Sequence, residues 1–254
     1  MRTARVRFRE CFGVDQPLIG MLHLRGDDNA EKVAIAKEEL DQYLDNGVDA
    51  VIVEDYFATL PVVEEVLDYL ASHRSDVVYG VNALRDMEAG FRLASQYYAR
   101  FVQLDSVAGH LPPDQDAEFG SRLAELRSST GVVVLGGVRF KYQPYLSGLP
   151  LRDDLALAEQ RCDAVVVTGT GTGRVTDMNK IGRFRDLLGP DFPLIVGAGV
   201  TEQNVALQLA DTDGAIVGSY FKRFHRDDQP VETEHVASLA TAFEAARRQV
   251  SHAV

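Results

Sequence analysis

The segment PLIVGAGVTEQNVALQLADTDGAIVGSYF, residues 193–221, contains the clearest structural repeat of the chain. It holds two short apolar runs, PLIVGAGV at 193–200 and GAIVGSYF at 214–221, with room for one helix between them. Runs rich in Val and Ile and bounded by Gly, Asp or Pro are typical of buried parallel strands. The segment therefore predicts a strand, a helix and a second, parallel strand.

Six further runs of the same kind precede this segment. They are PLIGMLHL at 17–24, AVIVED at 50–55, VVYGVNAL at 77–84, FVQLDSV at 101–107, VVVLGGV at 132–138 and AVVVTG at 164–169. Seven steps from Leu18 to Gly214 cover 196 residues, an average of 28, which suits a strand, a helix and two loops. We therefore predict an α/β chain that forms one (β/α)8 TIM barrel domain over residues 1–254. Residues 1–15 form an N-terminal extension before the first strand, placed to close the bottom of the barrel.

The segments between the runs have apolar faces with helical spacing, most clearly at 30–45, 61–71 and 233–248. Asp86 and Thr201 are predicted helix caps. The rival architecture is an open doubly wound sheet, which usually has five to seven strands and a glycine-rich fingerprint after the first. Here the first strand ends in HLRGDD at 23–28, without that fingerprint, so the barrel is favoured.

The composition argues against nucleic acid and membranes as partners of this chain. The chain has 26 Lys and Arg against 38 Asp and Glu, a net charge of −12 that disfavours nucleic acid. No apolar run reaches about 18 residues, so we expect no membrane insertion, and the N-terminus lacks the apolar core of a signal peptide. We expect a cytoplasmic protein whose two cysteines, Cys11 and Cys162, are buried thiols.

Polar residues at the ends of the runs are the candidate catalytic groups, because barrel active sites lie at the C-terminal ends of the strands. Glu54 and Asp105 can transfer protons or share a Mg²⁺ ion with substrate oxygens. Lys141 can form a Schiff base, neutralise a phosphate or stabilise an enolate. His23 and Asn82 can orient substrate hydroxyls. Three of these residues also have a structural alternative. His23 can be a hydrogen-bonded core residue, Lys141 a solvated loop residue and Asn82 a turn residue.

Asp55 follows Glu54 directly, and side chains alternate between the two faces of a strand. Only one of the two carboxylates can therefore point into the mouth of an extended strand. We favour Glu54 for that position. Asp55 is expected to cap the following turn.

Glycines at the ends of strands seven and eight predict a phosphate site, which many barrels build there from backbone N–H groups. The predicted donors are Gly197, Ala198, Gly199, Gly218 and Ser219. The loop TGTGTGR at 168–174 adds Gly169, Thr170, Gly171 and Thr172 as candidates to close over an anion. The alternatives are tight turns for the glycines and a plain surface linker for the loop.

Several of these segments together resemble the BtpA/SgcQ family. They are GMLHL, GVDAVIVED, GVNALRD, CDAVVVTGTGTG, VGAGVTEQN and DGAIVGSYFK, which extend over most of the chain from Pro17 to Lys222. The resemblance implies a phosphate-binding TIM barrel related to enzymes of phosphorylated sugars or nucleotides. The family pattern falls on His23, Glu54, Asn82, Arg85, Lys141, Thr168, Gly169, Asp177, Gly197, Gly199, Gly218, Ser219 and Lys222.

Three positions depart from the family pattern in ways that bear on substrate choice. Asp105 stands where relatives tend to have Asn. Tyr142 and Gln143 follow Lys141 where relatives have His and Ala.

The leading hypothesis is an enzyme that acts on a small phosphorylated substrate, a sugar phosphate or ribosyl nucleotide, by acid–base chemistry. Isomerisation, aldol-type cleavage and reaction at a ribosyl carbon remain open. Mg²⁺, held by Glu54 and Asp105, is the candidate cofactor, and we expect a homo-oligomer. The alternative is a non-catalytic barrel that binds a phosphometabolite or a protein and acts in assembly or regulation. A metal-dependent hydrolase is a weaker idea, because His23 has no HxH partner.

Overall fold

The computed structural model describes residues 2–252, so the predicted domain limits at 1 and 254 lie outside the described residues. The strands are β1 Leu18–Leu22, β2 Ala50–Glu54, β3 Val78–Asn82, β4 Phe101–Ala108, β5 Val133–Val138, β6 Ala164–Thr168, β7 Leu194–Gly197 and β8 Ala215–Val217. The helices are α1 Ala4–Phe12, α2 Asn29–Asp45, α3 Leu60–His73, α4 Met87–Gln96, α5 Pro113–Thr130, α6 Leu151–Arg161, α7 Met178–Leu188, α8 Val205–Leu209 and α9 Thr233–His252.

The eight strands form a closed parallel barrel in sequence order, in which β8 pairs with β1. Each of the eight predicted apolar runs coincides with one strand, although β4 extends one residue beyond its run, and the predicted (β/α)8 barrel is confirmed. The register of β2 and β3 sets Glu54 opposite Asn82 at the C-terminal edge. That pairing brings two predicted site residues into contact range.

Two apolar clusters hold the barrel together. Alternate strand residues such as Val51 and Val53 pack outward against the surrounding helices, while their neighbours Ala50 and Ile52 fill the barrel. The interior has little free space around Phe101. A Cβ atom on Gly80 would lie 2.4 Å from Cε2 of that ring, so the position requires glycine.

Helix α1 lies at the bottom of the barrel. Thr3 caps it, and Phe8 and Phe12 are buried with the side chains that fill the barrel. The rings of Phe12 and Phe101 have centroids 5.0 Å apart. Arg7 donates to the buried carboxylate of Asp163 at 2.8 Å, which ties α1 to the end of the β5–β6 connection.

The predicted helix caps have different outcomes. Asp86 Oδ1 accepts the N–H of Ala89 at 2.9 Å and caps α4. The prediction that Thr201 caps the seventh barrel helix is wrong. Helix α8 begins only at Val205, and Asn204 Oδ1 accepts the N–H of Thr201 at 2.8 Å, which makes 201–204 a turn.

Other sequence expectations concern the cysteines and membrane helices. Cys11 and Cys162 are both buried free thiols. Burial raises the pKa of Cys11 to about 12, so this thiol stays protonated at neutral pH. Within residues 2–252, no helix combines the length and the apolar character that a membrane crossing requires.

Candidate active site

The inward-facing series of strand residues ends in polar side chains at the C-terminal mouth. Ile19, Met21 and His23 alternate along β1 and its end, and Ala50, Ile52 and Glu54 do so along β2. Above the apolar layers lies a cavity of about 360 Å³. Its lining includes the predicted residues His23, Glu54, Asp105, Lys141, Thr172, Gly197, Ala198, Gly199, Gly218 and Ser219.

Asn82 joins the two predicted carboxylates instead of facing a substrate. Its Nδ2 donates to Glu54 Oε1 at 2.8 Å and to Asp105 Oδ1 at 3.3 Å. Gln103 Nε2 adds a second donor to Asp105 Oδ1 at 3.4 Å. Asn82 is almost fully buried, so it positions the carboxyl groups from below the cavity.

Both carboxyl groups are shifted towards the protonated form. Burial, and the negative charge of Asp105, raise the pKa of Glu54 to about 8, although Lys141 and Asn82 oppose the change. Burial also raises the pKa of Asp105. Glu54 is therefore mostly protonated at neutral pH and can donate a proton.

Asp55 points away from the mouth, because side chains alternate along β2. Its Oδ1 accepts the N–H of Leu84 at 2.8 Å and fixes the turn after β3. Glu54 thus lies in the cavity as expected, whereas Asp55 binds the turn after β3 and not the turn that follows it in the chain.

His23 lies between two carboxyl groups. Its Nε2 is 3.6 Å from Glu54 Oε2, and its Nδ1 is 3.8 Å from Asp227 Oδ1. Burial, and the positive charges of Lys222 and Lys141, hold the pKa of His23 well below its usual value. The ring is therefore neutral at physiological pH.

Lys141 enters the cavity from the loop after β5. Its backbone N–H donates to Thr168 Oγ1 at 2.9 Å, and its Nζ donates to Thr172 Oγ1 at 3.2 Å. The ammonium group lowers the pKa of both cavity carboxyl groups. A cation so placed can stabilise negative charge that develops on a substrate.

The glycine turn after β7 has unusual backbone geometry. Ala198 and Gly199 both have positive φ angles, 85° and 70°. A Cβ atom on Gly199 would lie 2.4 Å from the backbone of Val175, so only glycine allows this close approach. The turn after β8 leads directly into a 3₁₀ turn at Ser219–Phe221.

Four backbone N–H groups at these two turns lack partners. Within the part of the chain that the structure describes, the amides of Gly199, Val200, Ser219 and Tyr220 donate no hydrogen bond. All four residues line the cavity. Adjacent free amides at the ends of strands seven and eight can donate hydrogen bonds to an anion such as a phosphate group.

The loop at 168–174 contributes less to the cavity than the sequence indicated. Thr172 lines the cavity, whereas Gly169, Thr170 and Gly171 do not. The chain folds back on itself here, so that a Cβ on Gly169 would lie 2.7 Å from the carbonyl oxygen of Arg174. Gly169 and Thr170 instead line a neighbouring pocket, which shares Phe140, Lys141, Tyr142 and Gln143 with the lining of the cavity.

Lys222, which the family pattern includes, does not line the cavity. Its side chain is fully buried, and its Nζ lies 3.4 Å from both carboxylate oxygens of Glu39 on α2. Arg25 pairs with the same carboxylate at 3.2 Å. Lys222 thus joins the end of β8 to α2 as part of a buried ion pair.

Sequence reasoning missed Asp227. Its Oδ1 accepts the hydroxyl proton of Ser219 at 2.6 Å and lies beside His23. Asp227 comes from the polar stretch RDDQP at 226–230, which has no strand-end signal. Tyr56 and Gln103 also line the cavity and were not predicted, and so does Arg85 of the family pattern.

The residues present do not form a resident Mg²⁺ site. Within residues 2–252 there is no group of three His, Cys, Asp or Glu side chains that could hold a metal. The amide of Asn82 already occupies oxygens of both Glu54 and Asp105, and Glu54 is mostly protonated. A Mg²⁺ ion would need substrate oxygens as further ligands, and its use stays a prediction.

Comparisons with known proteins identify the family. The model of the BtpA family matches residues 14–245. The uncharacterized protein PH1209 of Pyrococcus horikoshii is 28% identical over 250 residues, 89% of this chain and 95% of that protein. The photosystem I biogenesis protein BtpA of a Synechocystis species is 23% identical, over 92% of this chain and 90% of that protein.

Solved structures with low sequence identity share the fold. The native KDPGal structure matches with a TM-score of 0.64 and 18% identity, over 94% of this chain and 98% of that chain. The phosphoribosylanthranilate isomerase of Pyrococcus furiosus has a TM-score of 0.59 and 15% identity, over 91% and 100%. The 3-keto-L-gulonate-6-phosphate decarboxylase of Vibrio cholerae has a TM-score of 0.63 and 13% identity, over 92% and 99%.

Proposed function

This chain belongs to the BtpA family, and we propose that it is an enzyme that acts on a small phosphorylated substrate by acid–base chemistry. A sugar phosphate or a ribosyl nucleotide is the substrate class. One observation carries the proposal: a single cavity contains unpaired backbone amides on one side and a protonated, buried Glu54 on another. Such a cavity can hold a phosphate group while a proton moves elsewhere on the same molecule.

The phosphate group binds to the turns after β7 and β8. The amides of Gly199, Val200, Ser219 and Tyr220 supply the donors. Two of the barrels with the same fold, the isomerase and the decarboxylase, carry phosphorylated compounds in their names. That likeness of fold supports the proposal as an analogy.

The reacting part of the substrate lies over Glu54 and Lys141. Glu54 donates a proton or, once ionised, removes one, and a pKa near 8 suits both roles near neutral pH. Lys141 stabilises the negative charge that develops on a substrate oxygen. Asn82 holds Glu54 in place and links it to Asp105.

Ligand-induced thermal stabilisation tests the binding half of the proposal. The panel consists of ribose 5-phosphate, glucose 6-phosphate, AMP and inorganic phosphate, with ribose, glucose and adenosine as unphosphorylated counterparts, each with and without Mg²⁺. We expect the melting temperature to rise only with phosphorylated compounds. Equal shifts with the unphosphorylated counterparts, or no shift at all, would refute phosphate anchoring.

The catalytic half is tested with Glu54→Gln on the compound that binds best. We expect binding to persist and turnover to fall at least ~100-fold, which is the usual share of general acid–base catalysis. Glu65→Gln, at an exposed position on α3, is the matched control and should keep full turnover. Retained turnover in the Glu54 variant would contradict the assigned role.

A second candidate is a binding protein without turnover that acts in assembly. Exposed apolar side chains near the mouth favour it: Tyr142, Tyr145 and Phe224 are 74%, 61% and 75% exposed. A relative in Synechocystis is called a photosystem I biogenesis protein. Phospholigand binding without any turnover, combined with full biological activity of the Glu54→Gln variant, would favour this candidate.

A further inference from the structure

Asp227 reaches the acid–base centre from a loop outside the barrel. The loop leaves the 3₁₀ turn after β8 and returns to α9, and an antiparallel bridge between Lys222 and Val231 closes its base. The Asp227 side chain is only 14% exposed. Its Oδ1 accepts the Ser219 hydroxyl proton at 2.6 Å and lies 3.8 Å from His23 Nδ1.

The His23 ring is tightly enclosed. Its side chain is 6% exposed, and a Cβ atom on Gly218 would lie 2.8 Å from His23 Cε1. Tyr56 covers the ring at a centroid distance of 4.9 Å. Among the described residues, His23 Nδ1 has no hydrogen-bond partner although it is buried. A buried ring nitrogen in this state needs a partner, and Asp227 Oδ1 is an acceptor 3.8 Å away.

The carboxyl groups beside the two ring nitrogens of His23 differ in whether they can donate a hydrogen bond. A carboxylate such as Asp227 only accepts hydrogen bonds, so the nitrogen that faces it must carry the proton. On the other side, Glu54 Oε1 already accepts a hydrogen bond from Asn82, which leaves Oε2 to carry the carboxyl proton. That Oε2 lies 3.6 Å from His23 Nε2.

The charges around His23 favour a neutral ring. Lys141 and Lys222 both lower the pKa of His23, and burial lowers it further. A neutral imidazole carries one proton only. If that proton is on Nδ1, Nε2 presents a lone pair to Glu54.

We propose that Asp227 is a positioning residue that holds His23 as the neutral Nδ1–H tautomer, so that Nε2 presents its lone pair to the protonated Glu54. The proton stays on Glu54 Oε2, and the imidazole orients that carboxyl group in the cavity. The catalytic use of this pair rests on the proposed function, whereas the tautomer follows from the residues around His23.

Long-range ¹H–¹⁵N NMR of the full-length, uniformly ¹⁵N-labelled protein tests the proposal without a substrate. The chain has six histidines, so the loss of one signal set in His23→Gln assigns His23. At pH 7 we expect an Nδ1 shift of the protonated type and an Nε2 shift of the unprotonated type. An Nε2–H tautomer or an imidazolium in the wild type would overturn the proposal.

Asp227→Asn provides the second arm, because the asparagine amide can donate to Nδ1. We expect this variant to move His23 towards the Nε2–H tautomer, while Asp227→Glu restores the wild-type signals. Asp228→Asn changes the adjacent acid, which pairs with Arg226 at the surface, and should leave His23 unchanged. Backbone amide spectra check that each variant is folded. An unchanged tautomer in a folded Asp227→Asn variant would refute the role of Asp227.

Discussion

Asn82 Nδ2 donates a hydrogen bond of 2.8 Å to Glu54 Oε1 across the parallel pair β2 and β3. This contact holds a buried carboxyl group at the floor of the cavity, and it lowers the pKa that burial raises. The protonation state of Glu54 therefore depends on the amide of Asn82 as well as on burial.

Asn82→Asp should raise the pKa of Glu54 above its value of about 8, because it replaces a donor with a third acid in the same buried cluster. It should also destabilise the fold by ~1–3 kcal/mol, since hydrogen bonds of buried groups are lost. Carbon NMR of the labelled Glu carboxyl groups follows the pKa, and urea unfolding follows the stability.

Asn179→Asp is the control for that substitution, because Asn179 is exposed on α7. It should leave both the pKa of Glu54 and the unfolding free energy nearly unchanged. An unaltered pKa of Glu54 in Asn82→Asp would mean that the amide does not govern its protonation.

Glu54→Gln should make the stability of the protein less dependent on pH. The pKa of Glu54 is about 8 in the folded protein and near 4.5 when the side chain is solvated, so folding binds a proton between these values. The wild type therefore loses stability as the pH rises from about 4.5 to 8, and each pKa unit corresponds to ~1.4 kcal/mol. Glutamine mimics the protonated acid and avoids this loss.

Urea unfolding at pH 5, 7 and 9 measures the effect. The stability advantage of Glu54→Gln over the wild type should grow with pH and level off above pH 8. Glu65→Gln, with an exposed acid, should show no such growth. A constant difference between Glu54→Gln and the wild type at the three pH values would contradict the raised pKa of Glu54.

Gly80→Ala should destabilise the barrel by ~1–3 kcal/mol, because the new methyl group would overlap the ring of Phe101. Combination with Phe101→Leu should recover part of the loss by making room. Gly182→Ala on α7 is the opposite control, since nothing lies within 4 Å of its Cβ position. It should stabilise by up to ~1 kcal/mol. Thermal unfolding should show a lower melting temperature for Gly80→Ala and an unchanged or higher one for Gly182→Ala.

The sequence predicts the barrel and the polar layer above its apolar core for a common physical reason. Buried parallel strands produce continuous apolar runs, and a closed barrel brings the ends of all of them to one mouth. Polar residues that end the inward-facing series therefore gather at the cavity, where His23 and Glu54 line it. Alternation along β2 also separates Glu54 from Asp55 without any tertiary information.

The parts that the sequence does not predict depend on tertiary contacts of loops. Asp227 enters the site only because its loop folds back over Ser219. The loop at 168–174 keeps Gly169 and Thr170 out of the cavity lining, and its own backbone at Arg174 lies against Gly169. No periodicity in the sequence encodes the path of these two loops. Residue type and position therefore do not predict which of their side chains reach the cavity.

Lys222→Met should destabilise the fold and leave phosphate binding intact. The lysine is fully buried against Glu39, and removal of one partner leaves a buried carboxylate with Arg25 as its remaining cation. Breaking a buried ion pair costs ~3–5 kcal/mol, and we expect the lower end because Arg25 stays.

Arg223→Met is the matched control, because Arg223 is half-exposed and pairs with Glu232 at the surface. Its effect on the unfolding free energy should stay within ~1 kcal/mol. Inorganic phosphate should raise the melting temperature of Lys222→Met by as much as that of the wild type, since the lysine does not line the cavity. Loss of that phosphate response in a folded Lys222→Met variant would place Lys222 in the anion site after all.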